Sequence, residues 1–146
     1  DQPNVAEAKD ATSRVLAGPV DLPASPPLTD LLGSVVPGDY VSIHAYLDPA
    51  SDDYDALEGV RLELRDALRV AVTLSPGPRF LHSTGVFIQV VGADHTDAAI
   101  PGRDFTFGQL KRAQADGDLL TLGAHHLRAG RYTVDDLLDG LPRQAP

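Results

Sequence analysis

Tyr40-Val41-Ser42-Ile43-His44-Ala45-Tyr46-Leu47 alternates without a break. Val41, Ile43, Ala45 and Leu47 fall on one side, Tyr40, Ser42, His44 and Tyr46 on the other, and a period of two marks a β-strand. Upstream, residues 3–17 read as a helix: Pro3 suits a first turn, where its missing N–H costs nothing, and Gly18-Pro19 stops the run. Between them, residues 18–38 carry five prolines and read as an extended connector with a helical turn at residues 29–32. Downstream, residues 53–74 read as the longest helix, with Leu57, Val60, Leu64, Leu68 and Ala71 at core spacing. Residues 79–83 and 86–92 read as short apolar strands. Thr106 caps a helix through Asp116 that continues or restarts at residues 119–126. Thr133, with Asp135-Asp136 in the next turn, starts a last helix to Leu138, and residues 139–146 read as a loose tail. Strands alternating with amphipathic helices predict a layered α/β domain, its mainly parallel sheet flanked by helices.

Length and composition agree with one domain. The chain has 146 residues, 42% hydrophobic and 23% charged, within the range of globular proteins. It has no Cys, which excludes a disulfide scaffold, a cysteine zinc site and a thiol nucleophile. Nucleic acid is an unsuitable partner, because the 12 Lys and Arg are scattered among 21 carboxylates and the net charge is −9. No apolar run reaches the ~18–20 residues of a membrane span. The opening Asp1-Gln2-Pro3-Asn4-Val5-Ala6-Glu7-Ala8-Lys9-Asp10 is no secretory signal, so the cytoplasm is the expected location. The chain starts without Met and contains none, and it reads as part of a longer protein.

Few residues announce chemistry. Of the 12 cations ten are Arg, leaving Lys9 and Lys111 as the only lysines. Lys9 stands four residues after Val5, at the edge of the stripe Val5, Ala8, Thr12, Val15 and Leu16. There a Lys stem covers apolar surface while its charge reaches water, and spacing alone does not separate that role from a functional one. His125 and His126 are adjacent, so they point to different sides of a helix and make a poor metal pair. His95 has no second ligand placed by spacing, and for His44 both packing and ligand contact stay open. His82, in Phe80-Leu81-His82-Ser83-Thr84-Gly85, stands where a strand would run into small hydroxyl and glycine residues. Ligands of α/β sheets bind at the carboxyl ends of strands, and such residues can cradle a phosphate. No P-loop, dinucleotide fingerprint or nucleophile elbow occurs.

Longer stretches carry a resemblance. Gly77-Pro78-Arg79-Phe80-Leu81-His82-Ser83-Thr84-Gly85-Val86-Phe87-Ile88-Gln89-Val90 resembles the C-terminal part of glucose-6-phosphate isomerases, of the type found in bifunctional transaldolase/phosphoglucose isomerases. So do Ile100-Pro101-Gly102-Arg103, Phe105-Thr106-Phe107-Gly108, Ala113-Gln114-Ala115-Asp116-Gly117-Asp118, Gly38-Asp39-Tyr40-Val41 and Asp1-Gln2-Pro3-Asn4-Val5. The similarity runs to about residue 120 and is weak beyond Leu120.

The resemblance implies a three-layer sugar-isomerase (SIS-type) domain. Its parent enzyme would interconvert glucose 6-phosphate and fructose 6-phosphate through ring opening and a cis-enediol, with no metal or organic cofactor, a step of glycolysis and gluconeogenesis. It implies that Gln2 contacts the sugar phosphate and that Lys9 assists ring opening or phosphate neutralisation. His82 becomes a substrate-facing or proton-relaying group, with Ser83, Thr84 and Gly85 as substrate contacts. An upstream SIS domain would complete the site and supply the catalytic glutamate, a transaldolase domain in the same parent stays open, and sites shared between subunits imply a homodimer. One departure is large: the family's glycine-rich segment, similar to Gln-Leu-His-Lys-Gly-Gly-Pro, is missing between Gly85 and the next strand. The alternative expectation is a non-catalytic module that keeps the fold and binds sugar phosphate or a partner.

Overall fold

A computed structural model describes residues 3–77, 85–93 and 97–141. In chain order it contains α1 (Pro3–Ala17), α2 (Leu28–Gly33), β1 (Tyr40–Tyr46), α3 (Asp52–Leu68), β2 (Ala71–Pro76), β3 (Gly85–Val91), α4 (Phe107–Ala124), β4 (Arg128–Arg131) and α5 (Val134–Gly140). The four strands form one parallel sheet in the order β2-β1-β3-β4. It is the α/β domain with a parallel, helix-flanked sheet that the sequence predicts.

The alternation in β1 decides which helix goes where. Val41, Ile43 and Ala45 stand in register with Val72, Val86, Ile88 and Val90 on one face of the sheet. That face packs on Leu31 and Leu32 of α2, Leu57, Val60 and Leu64 of α3, and Leu137 of α5. Each such aliphatic side chain contributes about 1.5–3 kcal/mol on burial, so this face carries most of the apolar stabilisation. The opposite face presents Ser42, His44, Tyr46, Phe87 and Gln89 to α4, and α1 packs outside α4. The layers are therefore α2, α3 and α5; the sheet; and α4 with α1. Crossovers through α3 and α4 run to opposite sides of the sheet, which puts the topological switch point between β1 and β3.

Several elements differ from the sequence reading. The helix expected over residues 53–74 ends at Leu68, because Arg69 turns left-handed at φ 58° and its N–H caps Arg65 O. The β-branched run that follows becomes β2, with Val72 buried and Ala71 exposed. Arg128-Ala129-Gly130-Arg131 lacks a strand signature, yet it pairs with β3 as β4. On α1 the buried residue is Ala11 at 1% exposure, whereas Val5, placed on the apolar stripe, is 44% exposed. The last helix, expected to end at Leu138, extends as α5 to Gly140, so residues 139 and 140 are helical. The expected strand at residues 79–83 lies outside the described residues.

Candidate functional site

In a doubly wound sheet the place to search is the carboxyl edge at the switch point, formed here by the ends of β1 and β3. Gly92 N–H donates to Tyr46 O at that edge, and Lys111 Nζ reaches Gly92 O at 3.2 Å, tying the start of α4 to the strand end. Asp97 fills the head of α4. Its Oδ1 accepts from Gly108 N at 2.8 Å and its Oδ2 from Thr106 Oγ1 at 2.6 Å, and these bonds hold its carboxyl below the usual range. Thr106 completes a capping box, accepting from Gln109 N while the Gln109 side chain accepts from Thr106 N. Thr106→Ala is expected to cost about 1 kcal/mol in urea denaturation, the usual loss for an N-cap.

Of the residues the resemblance singles out, the structure describes Lys9 and Gly85. Gln2, His82, Ser83 and Thr84 are outside the described residues. Gly85 opens β3 opposite Tyr40, at the amino edge of the sheet and away from the switch-point crevice. It is buried, and a Cβ there would collide with Phe87 Cζ and lie 2.7 Å from Tyr40 Cζ. Its lack of a side chain makes room for the edge-to-face Tyr40–Phe87 pair, whose ring centroids are 6.0 Å apart. Lys9 has an exposed side chain on α1. Glu7 bonds His125 and Thr12 meets Gly117, so α1 runs antiparallel to α4 and its first half lies toward the same amino edge. Lys9 and Gly85 thus share one end of the molecule but belong to different layers.

The sheet face under α4 holds a buried polar network that spacing did not reveal. Tyr46 OH donates to Asp118 Oδ2. Gln89 Nε2 donates to Ala115 O, and Arg131 donates from Nε to Gln89 Oε1 and from Nη2 to Asp116 Oδ1, each at 2.7 Å. Burial pushes the Asp118 carboxyl up to about 6, with the Tyr46 bond acting in the opposite sense. Burial, reinforced by Asp118, drives the Tyr46 phenol well above its ordinary value. Beside this network, Thr73 Oγ1 donates to Ser42 Oγ, and Ser42 Oγ lies 3.0 Å from His44 Nε2. His44 is fully buried, its Nδ1 has no hydrogen-bond partner, and burial lowers its pKa to about 4. A signal for all this was present: both faces of a parallel sheet are covered, so polar residues alternating along such a strand must be buried and bonded.

Among the described residues no group of three His, Asp or Glu side chains is placed to hold a metal ion, and no helix is long and apolar enough to cross a membrane. No protein-family model matches the chain, and no curated protein and no solved structure proved significantly similar to it.

Proposed function

We propose that this chain is the C-terminal sugar-isomerase domain of a cytoplasmic glucose-6-phosphate isomerase, an aldose–ketose isomerase whose active site is completed by an upstream SIS domain. The carrying observation is the doubly wound parallel α/β fold onto which the resembling segments fall: Gly38–Val41 leads into β1, Gly85–Val90 forms β3, and Phe105–Asp118 caps and builds α4. On this reading Gln2 binds the sugar phosphate, and Lys9 of α1 assists ring opening or neutralises the phosphate. His82, Ser83, Thr84 and Gly85 supply the other contacts from this chain. Proton transfer between C1 and C2 needs a carboxylate within hydrogen-bond reach of the substrate. Among the described residues Asp118 is the carboxyl raised toward neutrality, but it is 8% exposed and bonded to Tyr46 between α4 and the sheet. The base therefore comes from the upstream domain.

One observation favours the rival reading, a non-catalytic sugar-phosphate-binding module. The connection from Pro76 to Gly85 comprises residues 77–84, eight in all. Parallel crossovers ordinarily take about a dozen residues or more. The shortfall is comparable to the glycine-rich segment of the resembled family. The test is a coupled fructose 6-phosphate to glucose 6-phosphate assay, run beside NMR titration with glucose 6-phosphate. The chain alone is expected to bind saturably, without turnover, and Lys9→Ala to weaken binding about tenfold, or ~1.4 kcal/mol. Turnover should emerge when an upstream SIS domain is supplied in trans. Binding without turnover in that mixture favours the non-catalytic module, and absence of saturable binding overturns both.

A further inference from the structure

A cleft opens at the amino edge of the sheet, apart from the polar network and from the switch-point crevice. Its volume is about 580 Å³, and it is lined by Arg65 and Asp66 of α3, the helix cap Arg69, and Val70 and Ala71 at the start of β2. Ligand pockets run from about 300 to 1,000 Å³. Arg65 lies in the last turn of α3, where the helix dipole favours a cation, and it pairs with Asp66 at 2.8 Å. Neither reason applies to Arg69. It stands past the helix end in the left-handed region at φ 58°, a conformation whose cost glycine escapes. Its exposed side chain makes no hydrogen bond to a described residue, and its charge reaches only Asp66, which Arg65 already holds. Asp66 and the negative end of α3, about half a charge, offset part of the two guanidinium charges. The lining stays positive on a chain of net charge −9. Its place on the edge is equally informative. Ala71 in β2 and Gly85 in β3 both stand opposite Tyr40, on either side of β1, so two strand spacings put them about 9.5 Å apart. The cleft therefore opens on the edge that holds Gly85, a substrate contact in the isomerase reading.

We propose that this cleft binds the phosphate group of a small ligand, with the Arg69 guanidinium as its main anchor and Arg65 as the second. The planar fork of arginine offers a phosphate two parallel N–H bonds, which a point charge does not. A left-handed arginine is then kept for its charge, at a position where helix capping alone would favour glycine. The identity of the ligand rests on the isomerase reading, in which the group belongs to the sugar phosphate. The cleft itself does not, and free phosphate is the other source of the same chemistry.

NMR titration of the whole chain tests both levels, with inorganic phosphate reading the cleft and glucose 6-phosphate reading the ligand. The Val70 and Ala71 amides should shift saturably with each. Arg69→Gly should weaken both about tenfold, yet raise the folded-to-unfolded ratio in urea about fivefold by removing the left-handed side chain. If that variant does not fold, Arg69→Asn, which also tolerates this backbone, should show the same loss of binding. Phosphate shifts at Val70 and Ala71 without binding of glucose 6-phosphate sustain the cleft and overturn the isomerase reading. Glucose 6-phosphate binding that Lys9→Ala weakens and Arg69→Gly leaves unchanged does the reverse. Shifts that chloride reproduces at equal ionic strength, or a phosphate affinity unaltered in Arg69→Gly, overturn the proposal as well.

Discussion

Asp118→Asn is expected to lose, and His44→Leu to gain, about 2–3 kcal/mol of unfolding free energy as pH falls from about 6 to about 4, while the parent protein stays nearly flat. The two groups are buried on the same sheet face and displaced in opposite senses, Asp118 up to about 6 and His44 down to about 4. A carboxyl with a raised folded-state pKa contributes stability that is fully present below its unfolded value of 3.8 and lost as pH rises through 6. A histidine with a depressed folded-state pKa contributes stability present above its unfolded 6.5 and lost as pH falls toward 4. Each slope is about 1.4 kcal/mol per pH unit, and over the shared window they cancel. In effect the unfolded chain holds a protonated imidazole and an ionised carboxylate there, whereas the folded chain holds both neutral. Removing either group leaves the other's slope uncompensated. Asp39 and Asp97, held below the ordinary carboxylate range by Arg128 and by Thr106 respectively, titrate below this window and leave it undisturbed. Urea denaturation at half-unit pH steps is the measurement, and three parallel curves would refute the compensation.

The same residues show what the sequence made legible. The alternation over residues 40–47 was enough to place β1 and divide its side chains correctly, because period two is geometric and needs no tertiary information. Thr133 and Thr106 announced their helices for an equally local reason, a hydroxyl that accepts from the third helical N–H. β2 was hidden because Leu68 and Ala71 continue a helical spacing, and the stop is a non-glycine left-handed residue, Arg69. β4 was hidden because Arg-Ala-Gly-Arg becomes a strand only by pairing with β3. The polar network is non-local in the same way: Tyr46 and Asp118 are 72 positions apart, and only the crossover through α4 brings them together. For the residues of the proposed isomerase site the legible part was resemblance. The fold adds that Gly85 is required by two aromatic rings, a structural reason for a glycine that stands whatever its contact with substrate.

Gly117 supplies the second large effect, and two magnitudes compete in it. Glycine inside a helix costs about 1 kcal/mol relative to alanine, so on propensity alone Gly117→Ala would stabilise the protein by that amount. The position is where α1 crosses α4. A Cβ there would lie 2.8 Å from Thr12 N, 2.8 Å from Thr12 Oγ1 and 3.1 Å from Thr12 Cα. Two of these atoms are backbone, and the hydroxyl is already committed to Ala8 O at 2.9 Å, so no flexible side-chain tip can yield. Relief requires moving α1, which also carries buried Ala11 and the Glu7 contact to His125. Overpacking of this kind costs roughly 1–3 kcal/mol for one added methyl, which cancels the propensity gain or outweighs it. Valine adds two more methyl-sized groups at the same crossing and a β-branch the helix disfavours, so Gly117→Val should lose about 3 kcal/mol or more. The expected order of stability in urea is therefore parent at or above the alanine variant, with the valine variant far below both. An alanine variant about 1 kcal/mol more stable than the parent would mean that helix propensity governs this position and that α1 is free to move away from α4.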